Sequence, residues 1–199
     1  MRKVFLKYKE EAKKIIVDAA IRVAIRKGYQ SMTIEDVAKE VGVTKGALYG
    51  YFKNKEELLS EVLIEIVKTF EKTLNFSDLD GDLDSILDQS MDRLLHVLPD
   101  QTPLFAELIS ISGRDPAIQQ MLSTQINNNI QIIEKNLRLL QDKKLIPDAL
   151  DLRVTATISE SLGRGLLMQC HVTRNVDEVR AHWKLALKKI MELPSPEGH

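Results

Sequence analysis

Apolar residues recur every three or four positions along most of the chain, which is the pattern of helices with one buried face. No stretch alternates apolar and polar residues for long enough to predict a strand. Thr102-Pro103 and Asp115-Pro116 each have the form of an N-cap followed by a proline at the first helical position, so a helix is expected to begin at each. The fold class is therefore predicted as all-α, with helices near residues 9–27, 33–41, 45–52, 54–74, 83–98, 103–112, 116–142, 149–172 and 176–193.

The segment 33–52 carries the most informative local pattern. Thr33 can cap one short helix, and Gly42 can end it in a backbone conformation that glycine adopts at little cost. Leu48 and Phe52 are four residues apart, so they would anchor the next short helix by its rear face. Two short helices, a tight glycine turn and a rear anchor predict a helix-turn-helix.

The outer face of the second short helix follows from a rotation of about 100° per residue. Gly46 and Gly50 point most directly away from Leu48, so the centre of this face would carry almost no side chains. The backbone could then approach base edges closely, while direct hydrogen-bond readout would be thin. For each residue taken alone, the alternative is that a tyrosine is a half-buried packing residue or that a lysine lies on a solvated face. Candidate contacts to bases or phosphates are Thr33, Thr44, Lys45, Ala47, Tyr49, Tyr51 and Lys55.

Charge is distributed unevenly along the chain. The net charge of −1 combines +5 over residues 1–60 with −6 over the remainder, and much of the positive charge lies on the N-terminal arm and the first predicted helix. A basic first third favours contact with a polyanion, although chance scatter of surface charge explains the same numbers.

Composition excludes several protein classes. Hydrophobic residues make up 44% and charged residues 29%, a globular balance. The single cysteine, Cys170, rules out an intrachain disulfide. The chain has no apolar run of about 18 residues for a membrane span and no signal-peptide core at residues 1–11, so a cytoplasmic protein is expected.

Residues 9–60 resemble the DNA-binding domain of TetR-family transcriptional regulators. Three segments carry the resemblance: Thr-Ile-Glu-Asp-Val-Ala at 33–38, Gly-Val-Thr-Lys-Gly-Ala-Leu-Tyr at 42–49, and Tyr-Phe-Lys-Asn-Lys-Glu-Glu-Leu-Leu at 51–59. The resemblance implies a homodimeric repressor that binds a pseudo-palindromic double-stranded DNA operator and is released by a small-molecule effector. It places DNA contacts on Thr33, Thr44, Lys45, Gly46, Ala47, Tyr49, Tyr51 and Lys55.

The same resemblance implies two domains. A three-helix helix-turn-helix domain would cover residues 1–55, and a helical effector-binding and dimerisation domain would cover residues 56–199. Gly50 departs from the family pattern, because many members carry a larger polar residue there. This departure implies heavier reliance on backbone contacts and on DNA shape.

The last two predicted helices carry apolar and small residues at spacings of three and four, as a helix–helix seam requires. With the resemblance, this spacing predicts a four-helix dimer interface, two helices from each subunit. Ordinary core within one chain is the alternative. The predicted interface residues are Ile158, Leu162, Gly165, Val179, Trp183 and Ile190.

Apolar and soft side chains on the central helices are candidates for an effector pocket, which would suit an apolar or amphipathic effector. Plain core is the alternative for the apolar members, and a solvated face is the alternative for Gln125. The acidic body disfavours strongly anionic effectors unless Arg93 or Arg164 points inward. The predicted pocket residues are Met91, Leu95, Phe105, Ile109, Met121, Gln125 and Met168.

The sequence offers no catalytic constellation. Cys170 and His171 are adjacent, so on a helix they diverge by about 100° and do not form a dyad. The histidines lack metal-ligand spacing, and neither a phosphate-binding glycine loop nor a nucleophile elbow is present. No enzyme, metal or cofactor is therefore expected. The competing hypothesis is a helical small-molecule-binding or adaptor protein that keeps the helix-turn-helix only as a scaffold.

Overall fold

The computed structural model describes residues 2–76 and 78–191 of the 199-residue chain. Within these residues the structure is helical and contains no strand, which confirms the predicted all-α fold class. None of the described helices has an apolar stretch that could cross a membrane. The helices are α1 (Arg2–Lys27), α2 (Ile34–Val41), α3 (Lys45–Tyr49), α4 (Lys55–Leu74), α5 (Leu83–Ser112), α6 (Pro116–Asp142), α7 (Leu152–Thr173) and α8 (Val176–Met191).

One predicted helix boundary is wrong. Helix α5 runs for 30 residues without a break, so Thr102-Pro103 does not begin a new helix. Pro103 removes one backbone hydrogen bond from the helix interior. The helix continues past it, because Leu104 and Leu108 on the following turns are buried and fix that segment by packing. The second predicted boundary is confirmed, since the Asp115 carboxylate accepts hydrogen bonds from two backbone N–H groups of the first turn of α6.

The chain forms two compact units. The first comprises residues 1–69 and 104–110, and the second comprises residues 70–103 and 111–199. In the first unit α1 packs against α2, and α2 packs against α3. The predicted boundary after residue 55 separates DNA binding from effector binding and dimerisation. Packing units do not test a division of function, so this boundary stays a prediction. Buried apolar residues of the first unit include Ile16, Ala20, Val23, Met32, Val37, Leu48, Phe52, Leu58 and Val62.

In the second unit α7 packs against both α6 and α8. Asn136 of α6 is buried with both ends of its amide satisfied. Its Nδ2 donates to the Leu74 carbonyl at 2.6 Å, and its Oδ1 accepts from the Phe76 N–H at 3.2 Å. The buried amide therefore holds the chain just after α4. The apolar core includes Met91, Leu94, Ile130, Leu137, Leu166, Val179, Trp183 and Leu187.

Trp183 of α8 packs directly onto Gly163 of α7. A Cβ atom at Gly163 would lie 2.8 Å from Cζ3 of the indole ring, so only glycine fits at this crossing. Trp183 is 4% exposed and Val179 is 1% exposed. The prediction that these two side chains face a second copy is therefore wrong, because they are buried in the core of their own chain.

Gly163→Ala and Gly46→Ala form a matched pair that tests this packing. The first methyl would overlap the Trp183 ring, so we expect a loss of about 1–3 kcal/mol of unfolding free energy. A Cβ at Gly46 would meet nothing nearer than 3.9 Å, so alanine there should be neutral or stabilising by up to about 1 kcal/mol. Urea denaturation at one protein concentration measures both. Equal losses from the two variants would contradict the proposed Trp183 packing.

Candidate nucleic-acid interface

A complete capping box begins α2. The Thr33 hydroxyl accepts a hydrogen bond from the Asp36 N–H, and the Asp36 carboxylate accepts one from the Thr33 N–H, both at 3.1 Å. Hydrogen bonds from Lys27 and then Thr33 lower the pKa of Asp36 to about 2. The carboxylate is therefore ionised at neutral pH, and the predicted cap is confirmed.

Gly42 ends α2 with a left-handed backbone, at φ +80°. Its N–H donates to the carbonyls of Ala38 and Lys39, and the Val43 N–H also donates to Ala38. This arrangement satisfies carbonyls that the end of a helix leaves without partners. The glycine turn predicted from the sequence is therefore present between α2 and α3.

Helix α3 is short and is held from behind. The Thr44 hydroxyl accepts from the Ala47 N–H at 3.2 Å, and the helix ends at Tyr49 rather than at Phe52 as predicted. One further turn follows, in which the Phe52 N–H donates to the Leu48 carbonyl at 3.0 Å. Leu48 and Phe52 are each 1% exposed, so both anchors lie where the rotation argument places them.

The opposite side of α3 is open to solvent and poor in side chains. A Cβ at Gly46 would meet nothing nearer than the Thr44 hydroxyl at 3.9 Å, so the fold itself does not require glycine there. At Gly50 a Cβ would lie 3.2 Å from the Ala47 carbonyl. The packing of the free chain therefore does not explain the glycine at position 46. The exposed residues on this side are Thr44, Lys45, Gly46, Ala47, Tyr49 and Gly50.

Two of the predicted DNA contacts are half-buried, and two have side chains that are hydrogen-bonded within the first unit. Tyr51 and Lys55 are half-buried, and the Lys55 amino group donates to the Gln30 carbonyl at 2.7 Å. The Thr33 hydroxyl donates to Asp36 at 2.8 Å while it caps α2. The side chains of Lys55 and Thr33 thus already have partners within the first unit, which the sequence pattern did not reveal for Lys55.

Several cations of α1 are paired with acids of the same unit. Arg22 and Arg26 both donate to Glu40, at 3.2 and 2.9 Å, and these bonds lower the pKa of Glu40. Lys13 pairs with Glu61 at 2.5 Å. The net charge of +5 over residues 1–60 already counts Glu40, so the two arginine pairs leave that sum unchanged but engage the arginine side chains within the unit.

The predicted pocket residues fall into both units. Phe105 and Ile109 belong to the 104–110 segment of the first unit, and Ile109 is 45% exposed. Met91 and Gln125 are buried in the second unit, where Leu95 and Met121 are half-buried. Met168 is 39% exposed and lies on the outer face of α7, which differs from its predicted place in a pocket.

The second unit contains a cavity of about 50 Å³ that includes none of the predicted pocket residues. Its volume is far below the several hundred Å³ of a typical ligand pocket. It would hold a few waters at most. Its lining residues are Phe76, Leu79, Ile86, Asn136, Leu139, Leu140 and Lys143.

Two amide side chains of α6 are buried; the sequence left this open for Gln125 and did not indicate it for Asn129. Gln125 is 3% exposed and Asn129 is 2% exposed, so the solvated-face alternative for Gln125 is wrong. Gln125 Nε2 and Asn129 Oδ1 have no hydrogen-bond partner among the described residues. A buried polar atom left without a partner costs about 1–3 kcal/mol.

Helix α7 carries an exposed stripe of apolar and small residues at spacings of three and four. Of the predicted interface residues, Ile158 and Gly165 lie in this stripe, while Leu162 and Ile190 are half-buried. Val172 is 80% exposed. The full stripe, called the α7 stripe below, is Val154, Ile158, Ser161, Gly165, Met168 and Val172.

Known proteins resemble the chain over the same regions. Residues 16–62 match the family model of bacterial regulatory proteins of the tetR family. The chain is 28% identical over 162 residues to the HTH-type transcriptional regulator SrpR of Pseudomonas putida, covering 80% of this chain and 75% of SrpR. It is also 28% identical over 167 residues to AcrR of Shigella flexneri, covering 79% and 77% respectively.

A solved structure agrees in fold. The reduced form of Escherichia coli NemR superimposes with a TM-score of 0.77 at 15% identity, covering 94% of this chain and all of that chain. The relatives are named as transcriptional regulators, which confirms the prediction that the chain is not an enzyme. The helix-turn-helix and these similarities support a TetR-family transcriptional regulator with a DNA-binding role.

Proposed function

We propose that the chain is a homodimeric repressor that binds a pseudo-palindromic operator in the cytoplasm and releases it when a small effector binds. The observation that carries the proposal is the exposed outer face of α3, held from behind by Leu48 and Phe52. In the proposal, residues 1–55 bind the operator, and residues 56–199 bind the effector and form the dimer.

The proposed DNA contacts centre on α3. The Lys45 amino group would reach a guanine or a phosphate, and the backbone at Gly46 would approach base edges. Thr44, Ala47, Tyr49 and Tyr51 complete this surface. Thr33 and Lys55 are also proposed as phosphate contacts. The Thr33 hydroxyl would exchange Asp36 for a phosphate oxygen, and the Lys55 amino group would use a further donor while keeping its bond to Gln30.

The α7 stripe supports the homodimer. Apolar and small residues at spacings of three and four let two helices pack closely, and a two-fold axis would pair the stripe with itself. Val172 and Ile158 would lose solvent contact on dimerisation. Leu185 of α8, which is 55% exposed, would extend the same apolar surface from the neighbouring helix.

The buried polar groups of the second unit support a neutral amphipathic effector. Gln125 Nε2 is a donor and Asn129 Oδ1 is an acceptor, and a hydroxyl group would satisfy both. Arg93 is paired with Asp78 at 2.7 Å, and Arg164 is paired with Glu160. Burial lowers the pKa of Arg164 to about 10, so it stays charged but already has a carboxylate partner. A strongly anionic effector therefore finds both of these cations occupied.

Gly46→Ala tests DNA binding without disturbing the fold. The extra methyl has room in the free chain and should leave its stability unchanged or slightly raised. It should lower affinity at least about tenfold for a duplex that the full chain selects from a random-sequence pool, because the backbone is held away from the bases. Lys45→Ala should lower the affinity. It should also reduce the slope of log affinity against log salt concentration by about one, as expected for the loss of one phosphate contact.

Lys68→Ala is the control, since Lys68 lies on α4 and pairs with Glu65. Unchanged affinity in both α3 variants would overturn the contact assignment. If the unaltered chain selects no duplex at low salt, the proposed repressor function is wrong and the adaptor hypothesis is favoured.

Ile158→Asp should convert the dimer to a monomer. A carboxylate in the α7 stripe would be buried against its own copy across the two-fold axis, and burying like charges is strongly unfavourable. Light scattering after gel filtration measures the mass. Ile64→Asp on α4 is the control, because Ile64 is 45% exposed compared with 39% for Ile158. A dimer that survives Ile158→Asp would place the interface elsewhere.

Gln125→Leu tests the effector chemistry. 1-Decanol should raise the melting temperature of the chain and weaken its binding to the selected duplex, and decyl sulfate of equal chain length should do less. Leucine at 125 should raise the stability of the free chain, because it deletes an unsatisfied buried group. It should also remove the response to 1-decanol, because the donor to the hydroxyl group is lost. Gln120→Leu, at an exposed position of α6, should keep the response. A stronger response to decyl sulfate would refute the neutral-effector proposal.

A further inference from the structure

One carboxylate holds the loop between α1 and α2 from a distant part of the chain. Glu107 Oε2 accepts a hydrogen bond from the Tyr29 N–H at 2.7 Å, and Glu107 Oε1 accepts one from the Gln30 N–H at 3.1 Å. Tyr29 and Glu107 are 78 residues apart in sequence. Hydrogen bonds to an ionised acceptor are roughly twice as strong as neutral ones, so the pair of bonds fixes this loop firmly.

Gly28 makes this approach possible. Its backbone is left-handed, at φ +89°, and a Cβ atom there would lie 3.1 Å from Glu107 Oε2 and 3.3 Å from Oε1. The glycine N–H also donates to the Ala24 carbonyl at 2.8 Å, at the end of α1. Both the turn of the chain and the close approach of the carboxylate therefore favour glycine at this position.

The held loop leads directly into the DNA-binding helices. Gln30 is fixed at both backbone groups, since its N–H donates to Glu107 and its carbonyl accepts from Lys55. Met32, two residues later, is fully buried, and Thr33 then caps α2. Because α2 packs against α3, the position of the loop sets the position of the surface that would meet DNA.

We propose that Glu107 is a positioning residue for DNA binding, a role that rests on the proposed function above. Its carboxylate fixes the α1–α2 loop and, through it, the start of α2, without touching DNA itself. Residues 104–110 belong to the first unit although α5 begins at Leu83 in the second. A shift of this segment would withdraw both acceptors from the loop at once, so operator affinity depends on where the end of α5 lies.

Amide hydrogen exchange of the free full-length chain tests the loop contact. Glu107→Ala should lower the protection of the Tyr29 and Gln30 amides at least about tenfold, because local opening no longer breaks two charge-assisted bonds. Glu107→Gln keeps one acceptor oxygen and should give an intermediate loss. Ser110→Ala, at an exposed position of the same segment, should change neither amide. Unchanged protection in Glu107→Ala, or a uniform loss throughout the first unit, would overturn the proposal.

Affinity for the duplex selected by the unaltered chain tests the consequence for DNA. Glu107→Ala should bind at least about tenfold more weakly with an unchanged salt slope, because no phosphate contact is removed. Lys45→Ala should reduce that slope, so a positioning defect and a contact defect are distinguishable. Equal affinity for Glu107→Ala and the unaltered chain would refute the positioning role while leaving DNA binding intact. If no duplex is selected, the repressor proposal and the positioning role fall together, and hydrogen exchange reports only on the loop contact.

Discussion

The burial of Leu48 and Phe52 is the interaction on which the DNA-reading surface depends. Helix α3 has only five residues, and a helix that short is not stable in water by itself. Burying each anchor contributes about 1.5–3 kcal/mol, and the Thr44 cap adds about 1 kcal/mol. Because packing of its rear face stabilises α3, the fold does not depend on side chains of the outer face. That freedom is what allows the face to carry glycine at position 46, where the fold has room for a side chain.

Features that depend on neighbours three to five residues away were predictable from the sequence. The Thr33 cap, the Gly42 turn and the rear anchors of α3 are all of this kind, and the structure confirms each. The break at Pro103 was predicted wrongly, because a proline signal is local whereas the continuity of α5 depends on the packing of the residues that follow. The small residues of α7 indicated that another helix approaches closely there, but not that Trp183 is the side chain that packs onto Gly163.

The second unit shows where periodicity stops being informative. A stripe at spacings of three and four looks the same whether it faces its own chain or a second copy. Val179 and Trp183 face inward, and Ile158 faces outward, although all three have the same kind of spacing. The polar run around Gln125 likewise left both a pocket position and a solvated face open, because the sequence does not show which side of α6 is covered. Tertiary packing decides both questions.

The net charges of residues 1–60 and of the remainder do not give the electrostatic potential at the outer face of α3, the proposed DNA-binding surface. Arg22 and Arg26 share Glu40, and Lys13 and Lys27 are paired with acids, so these cations are engaged within the unit, although the +5 net charge already counts Glu40 and Asp36 and is unchanged by the pairing. In the proposed complex, affinity would then depend more on how closely the backbone of α3 approaches DNA. Close approach tolerates little displacement, so the contacts that fix the α1–α2 loop matter more than the number of lysines. A single carboxylate remote in sequence, Glu107, then influences recognition without contributing to the contact surface.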